Sequence, residues 1–194
     1  KTNDLVKNIF SYFKNKAEFI QTNLETAEMI KYTNNAFLAT LISFSNEVAN
    51  ISEEISGIDS FEVMNALIED KRITTIIDNQ KIIPGIVEYL APGCGFGGSC
   101  FPKDVKAIVG FASSIGSKTP LLDAVLSVNN ERSDKIISLA KKILLSFSDK
   151  KIAVLGLAFK PDTDDIRSSP AIEVIKKLQA LNCKINAYDP KVNE

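Results

Sequence analysis

The run Gly95-Phe96-Gly97-Gly98-Ser99-Cys100-Phe101-Pro102-Lys103-Asp104 concentrates the residues of this chain that are able to do chemistry. Glycines strip side chains from one side of Cys100, and Val105, Ile108, Val109 and Phe111 behind it read as a helix that begins at or near the thiol. A cysteine placed there meets the positive end of the helix macrodipole, which stabilises a thiolate and suits a nucleophile. Pro102 falls in the first turn, where its missing N–H removes no helical hydrogen bond. Asp104, four residues on, returns a carboxylate to the face that carries the sulfur.

Other readings of the run compete with a nucleophile. A cysteine is commonly a small buried hydrophobe. Against that, the cluster Gly93, Gly95, Gly97 and Gly98 is costly in chain entropy unless the backbone turns sharply or something approaches closely. Gly93, Gly95 and Gly98 also satisfy G-x-G-x-x-G, but a dinucleotide loop needs a strand just before it and an acidic residue about twenty positions on. Pro92 and Lys118 stand in those places. Cys94 and Cys100 could pair as a disulfide or as half a metal site. With no histidine and only Cys183 left over, zinc lacks ligands at a recognisable spacing, so no metal is expected.

Composition narrows the chemistry further. The absence of histidine passes proton transfer to Lys, Asp, Glu, Cys or water. Lys plus Arg (23) nearly cancels Asp plus Glu (24), so no net field draws nucleic acid or an anionic membrane, and an anionic ligand must be held by specific residues. An odd count of three cysteines argues for a reducing compartment. No run approaches the roughly eighteen apolar residues of a membrane span, and no basic-then-apolar leader opens the chain, so a cytoplasmic location is expected. With 45% hydrophobic residues over 194 positions, the chain can bury a real core in one or two domains.

Leu5, Val6, Ile9, Phe10 and Phe13 recur at helical spacing, and residues 17–22 read as a short strand. One helix and one strand cannot make a sheet domain, and the chain opens at Lys1 without an initiator Met. The expectation is a piece of a longer protein, with residues 1–24 the tail of a preceding domain. No Pro or Gly interrupts residues 25–56, Thr22 or Asn23 can cap the N-terminus, and Gly57 can end the helix in a left-handed conformation. One long helix is therefore predicted. Its Ile30, Phe37, Leu41, Phe44, Val48, Ile51 and Ile55 keep to steps of three and four, broken at Asn34. That spacing suits either a helix–helix seam between subunits or a helix buried in a monomer.

Ser60 is expected to cap a helix containing Phe61, Val63, Met64, Leu67 and Ile68 that Asp70-Lys71-Arg72 closes, residues 73–91 are ambiguous between strand and buried helix, and Thr119-Pro120 opens another helix through Ile143. From Lys151 the pattern changes to a β-rich run through Gly156, a polar loop 160–169, a helix capped by Ser169 with Pro170 at its first position, and a second strand, 184–188. This is a βαβ unit of the doubly wound type. The fold class expected is a mainly α central domain, residues 25–149, followed by the start of a doubly wound α/β domain, residues 150–194.

Three segments together resemble the UDP-glucose/GDP-mannose dehydrogenase family: residues 27–39 around Lys31 and Asn35, residues 96–104 around Cys100, and Gly156-Leu157-Ala158-Phe159-Lys160-Pro161-Asp162-Thr163 with Asp165 and Arg167. The resemblance implies an NAD-binding Rossmann domain, a helical middle and a C-terminal domain that binds the nucleotide sugar. It also implies the activity, oxidation of a nucleotide-sugar primary alcohol to a carboxylate by two NAD⁺, as in polysaccharide biosynthesis. Cys100 would add to the aldehyde, so that a thiohemiacetal is oxidised to a thioester and hydrolysed. By the same resemblance Lys31 and Asn35, four apart on one helix face, would stabilise the oxyanion, and Asp104 would act as base, through a water.

Phe96, Gly97, Phe159 and Lys160 match residues that contact the UDP-sugar, and Arg167 matches one near NAD. Arg72 resembles an arginine that reaches a neighbouring subunit's substrate, although about a dozen extra residues, near 76–88, separate it from Cys100. Lys103 reads as a solvated neighbour. Ser99 and Phe101 look more like the UDP-glucose branch than the GDP-mannose or N-acetylhexosamine branches. A homodimer through the 25–56 helix is implied; the competing reading is a helical dimerisation module with an incomplete α/β domain and no chemistry of its own.

Overall fold

The computed structural model describes residues 2–13 and 18–192. Helix α1 (Thr2–Ile9) and a 3₁₀ turn (Ser11–Phe13) precede the long α2 (Leu24–Ser52), then α3 (Ser60–Ile68). A hairpin follows, β1 (Thr75–Ile77) and β2 (Gln80–Ile82), then a 3₁₀ helix (Gly85–Leu90), α4 (Phe101–Ser114) and α5 (Pro120–Ile143). The chain closes with β3 (Lys151–Leu155), α6 (Pro170–Ala180) and β4 (Lys184–Tyr188). The architecture is a mainly helical unit with a long helix, followed by the opening βαβ of a doubly wound sheet. Among the described residues no helix is long and apolar enough to cross a membrane.

Helix α2 starts where Asn23 accepts the Thr26 N–H at 2.8 Å, and its 29 residues extend roughly 43 Å at 1.5 Å each. It stops at Ser52, four residues short of the expectation, and turns carry the chain to Gly57 at φ +85°. The buried face of α2 is made of small residues, with Ala36, Ala39, Ser43, Ser45, Asn46, Ala49 and Ser52 all buried. Small side chains let α4 and α5 approach closely, and Ser43 Oγ donates across the gap to the Val125 carbonyl at 2.9 Å. The bulky stripe foreseen as a seam faces the other way, with Ile30, Phe37, Phe44, Ile51 and Ile55 between 46% and 58% exposed.

Several expectations shift. Residues 18–23 carry no regular structure and are exposed, because the described residues offer no strand for them to pair with; Ala17 lies outside the described residues. Asp59 rather than Ser60 caps α3, accepting the Phe61 N–H at 2.7 Å. The ambiguous stretch 73–91 resolves into the antiparallel hairpin, whose Asp78-Asn79 corner takes positive φ (50° and 59°), the turn that matches strand twist. Pro84 then opens the 3₁₀ helix. The extra residues near 76–88 are thus this hairpin and the start of that helix.

Two cores divide the molecule. One joins Ala36 and Ala39 of α2, Phe96, Val105 of α4 and Val125 of α5. The other joins Ile137 of α5, Phe147, Val174 and Leu178 of α6, and Cys183. Helix α5 serves both and so ties the helical unit to the βαβ unit. There β3 and β4 pair in parallel, Lys151 opposite Lys184 through Leu155 opposite Tyr188.

Candidate active site

Cys100 occupies the position just before α4, and the first turn carries Pro102 and Asp104. The thiol is exposed, and the Asp104 N–H bonds back to the Cys100 carbonyl at 2.8 Å. Cys94 is also exposed and Cys183 is buried; all three are free thiols. Two of the glycines before Cys100, Gly97 and Gly98, are required by close approaches from the βαβ unit, whereas Gly93 has open space where a Cβ would go. A Cβ on Gly97 would sit 2.4 Å from the Ser168 carbonyl oxygen, and one on Gly98, at φ +78°, would enter the Phe159 ring at 2.8 Å. The Gly98 N–H donates to the Arg167 carbonyl at 2.8 Å. What presses on the glycines is therefore the 157–169 loop of the βαβ unit.

Asp104 is completely buried, yet it is charged and well partnered. Its Oδ2 accepts from Lys31 Nζ and, at 2.6 Å, from Asn35 Nδ2, while Oδ1 accepts from Lys103 Nζ. Burial alone would raise this carboxyl's pKa, but the hydrogen bonds from Lys103, Lys31 and Asn35 outweigh it and hold the group at about 2, below its ordinary 3.8. Lys103 in turn is pushed up by its bond to Asp104. Half of the Lys31 side chain remains exposed, and its ammonium lies 4.9 Å from the centre of the Tyr32 ring. The i, i+4 spacing on α2 that puts Lys31 and Asn35 on one face thus brings both onto the carboxylate of α4.

The remaining expected residues divide. Phe159 backs the glycines, and Lys160 Nζ lies 5.6 Å from the Phe159 ring centre at an exposed position. Arg167 is exposed and forms a forked pair with Asp165, whose carboxyl that bond lowers to about 2; the Arg167 cation also lies within electrostatic reach of Cys100. Phe96 is 5% exposed with its ring in the core, so it offers a ligand no side chain. Arg72 is not brought to this cluster: its guanidinium bonds Asp70 on the exposed turn after α3, because the adjacent carboxylate satisfies the fork locally.

Sequence reasoning passed over three residues that hold the loop. Asn129 Oδ1 accepts the Phe96 N–H at 2.7 Å, and its Nδ2 donates to the Phe96 carbonyl at 3.1 Å. Arg132, 5% exposed, donates to the Gly93 carbonyl at 2.9 Å and to Asn50 Oδ1 at 2.6 Å. Asn46 accepts the Gly93 N–H at 2.8 Å. Lys103, read as a solvated neighbour, does keep its side chain 62% exposed, and its ammonium also bonds Asp104. The only signal available was polar residues repeating at helical spacing on α2 and α5, which reads equally as a solvated face.

Comparison with known proteins follows the same division of the chain. Residues 25–131 match the central domain of the UDP-glucose/GDP-mannose dehydrogenase family, and residues 153–194 match that family's UDP-binding domain. UDP-glucose 6-dehydrogenase TuaD of Bacillus subtilis (strain 168) is 44% identical over 174 residues, 90% of this chain and 35% of that protein. GDP-mannose 6-dehydrogenase of Pseudomonas putida is 36% identical over 91% of this chain and 37% of its own length. The solved structure of a UDP-glucose dehydrogenase from the archaeon Pyrobaculum islandicum superposes with a TM-score of 0.83 at 34% identity, covering 97% of this chain and 41% of that one. The chain thus spans roughly two-fifths of the length of these relatives. Through the match over its central residues it belongs to the UDP-glucose/GDP-mannose dehydrogenase family.

Proposed function

We propose that this chain carries the nucleophile and the oxyanion-stabilising residues of an NAD-dependent 6-dehydrogenase that oxidises UDP-glucose to UDP-glucuronate. The observation that supports it best is the joining of three sequence-distant residues: the buried Asp104 carboxylate, one turn past the exposed Cys100 thiol, is bonded by Lys31 and Asn35 from another helix. Two hydrides must leave one carbon. After the first, the aldehyde is trigonal and lacks the tetrahedral oxyanion that expels a hydride. Cys100 sulfur adds to that carbon to form a C–S bond, the carbonyl oxygen taking the electron pair. Loss of the second hydride leaves a thioester, and water then breaks the C–S bond to give the carboxylate and return the thiolate.

Lys31 and Asn35 donate to the oxygen that becomes negative during addition. With a pKa of about 2, Asp104 is a poor resting base. It gains proton affinity when Lys31, half exposed, turns from it toward the substrate oxygen, so deprotonation follows substrate binding. The hydride acceptor would be NAD⁺, one molecule for each of the two hydrides. The chain's own contribution to holding NAD⁺ is Arg167, an exposed cation within electrostatic reach of Cys100, whose charge suits a dinucleotide phosphate. Phe159, packed against the glycines before Cys100, and Lys160 beside it serve the UDP-sugar, Arg72 reaches the neighbouring subunit's substrate, and the domain boundaries stand at residues 24 and 149. Two copies pack their α2 stripes together as a homodimer.

The test is a full-length protein given NAD⁺ with UDP-glucose, GDP-mannose and UDP-N-acetylmannosamine in turn. The reading expects two NADH per sugar and the highest kcat/KM with UDP-glucose. One NADH per sugar would reduce the activity to a simple alcohol dehydrogenase, and a preference for GDP-mannose would transfer it to the other branch.

A further inference from the structure

The segment 92–100 lies outside any strand or helix, so its backbone polar groups need partners from elsewhere, and apart from the Gly98 N–H, which donates to the Arg167 carbonyl, several find them in side chains. Helix α5 supplies them. At one turn's spacing, Asn129 takes both backbone groups of Phe96 and Arg132 takes the Gly93 carbonyl, while Asn46 of α2 takes the Gly93 N–H. Gly95, at φ +94°, lies so close that a Cβ there would be 2.5 Å from Asn129 Oδ1. A carboxamide is the short side chain that presents a donor and an acceptor in one plane, which is what the two groups of a single residue demand.

We infer that Asn129 is a positioning residue for the nucleophile, fixing through Phe96 where Cys100 stands at the head of α4; this rests on the reading of Cys100 given above. Phe96 lies four residues before the thiol. Its ring is locked into the core beside Ala36, Ala39 and Val105, and its backbone is locked by Asn129, so its position has no freedom. Between it and Cys100 the chain is Gly97-Gly98-Ser99, held once more where the Gly98 N–H meets the Arg167 carbonyl. Release of the Asn129 anchor passes the slack to two glycines, and the thiol drifts. Arg132 acts farther from the sulfur and also braces Asn50 of α2, so its loss weakens helix packing as well.

The experiment uses the full-length enzyme. Asn129→Asp keeps the acceptor for the Phe96 N–H but sets an anionic oxygen against the Phe96 carbonyl, and Asn129→Ala removes both bonds; Asn130→Ala, an exposed neighbour, is the control. In both variants kcat should fall about 10- to 100-fold, the scale of an ångström-level misplacement. KM for UDP-glucose should stay within about threefold, since both side-chain bonds of Asn129 go to the Phe96 backbone and none to Phe159 or Lys160. Alkylation of Cys100 by iodoacetamide should slow relative to Cys94. A kcat within about twofold of wild type in Asn129→Asp, with unchanged alkylation, would overturn the inference even if the melting temperature drops. Should Asn129→Ala not fold, Asn129→Asp decides. Cys100→Ser in the same assay separates the two ideas: full activity there removes the nucleophile reading itself, whereas an inactive Cys100→Ser beside normal Asn129 variants removes only this inference.

Discussion

At the scale of single residues, Asp104 concentrates the electrostatics of the site. Its Lys31, Asn35 and Lys103 bonds keep a completely buried carboxylate ionised, so its folded pKa of about 2 lies below the ordinary 3.8. A depressed pKa contributes stability that is fully present above the unfolded value and is lost as pH falls through the folded one. In thermal melts across a pH series, wild type should therefore exceed Asp104→Asn most above about pH 4, and the gap should close toward pH 2. The same variant should lose about 10²- to 10⁴-fold in kcat in the full-length enzyme, the range for a positioned acid–base group. Gly97→Ala tests the packing beside it. The added Cβ would meet the Ser168 carbonyl at 2.4 Å, a backbone atom that cannot swing aside, and overpacking of this kind costs about 1–3 kcal/mol, read in chemical denaturation.

At the scale of elements, α2 shows why one helix can be foreseen and half-misread. Its existence followed from an uninterrupted run and a capping Asn23. Its orientation did not follow, because Ala36, Ala39, Ser43, Asn46 and Ala49 look neutral in hydropathy although they are the face that α4 and α5 need. The bulky Ile30, Phe37, Phe44, Ile51 and Ile55 form an exposed stripe, which speaks against a helix buried by that face in a monomer and leaves the seam between subunits as the alternative of the two. Phe44→Glu with Ile51→Glu should consequently leave the stability of a monomer within about 0.5 kcal/mol, yet convert a dimer to a monomer in sedimentation at micromolar concentration. Helix α4 offers the opposite change. Gly110 sits inside it at an exposed position with open space where a Cβ would go, so Gly110→Ala should stabilise by about 0.5–1 kcal/mol in denaturant titration.

The candidate site had a local signature in the glycine run and the thiol before a helix, whereas the i, i+4 pair Lys31 and Asn35 stood out only through the resemblance. Its supports had none, since Asn129 and Arg132 reach the loop across more than thirty positions and only folding brings them there. The hairpin 75–82 was ambiguous for a related reason, as Ile76, Ile77, Ile82 and Ile83 suit strand or buried helix equally and are in fact exposed.

At the scale of the whole molecule, the helical unit and the βαβ unit meet at the glycines before Cys100. Asp189, just past β4, accepts the Leu157 and Ala158 N–H groups at 2.7 and 3.0 Å together with those of Lys191 and Val192. These backbone bonds hold its carboxyl at about 2 and fix the start of the loop whose Phe159 backs Gly98. Asp189→Ala should raise KM for the nucleotide sugar, because that loop carries Lys160, and isothermal titration with UDP would show the weaker binding. The central claim, that Cys100 sulfur bonds to the substrate carbon, is tested most directly by turnover of full-length Cys100→Ser to the uronic acid. A loss on the order of 10³-fold or more is expected for removal of a nucleophile, with Cys94→Ser and Cys183→Ser near wild type. Complete conversion by Cys100→Ser at the wild-type rate would contradict the account.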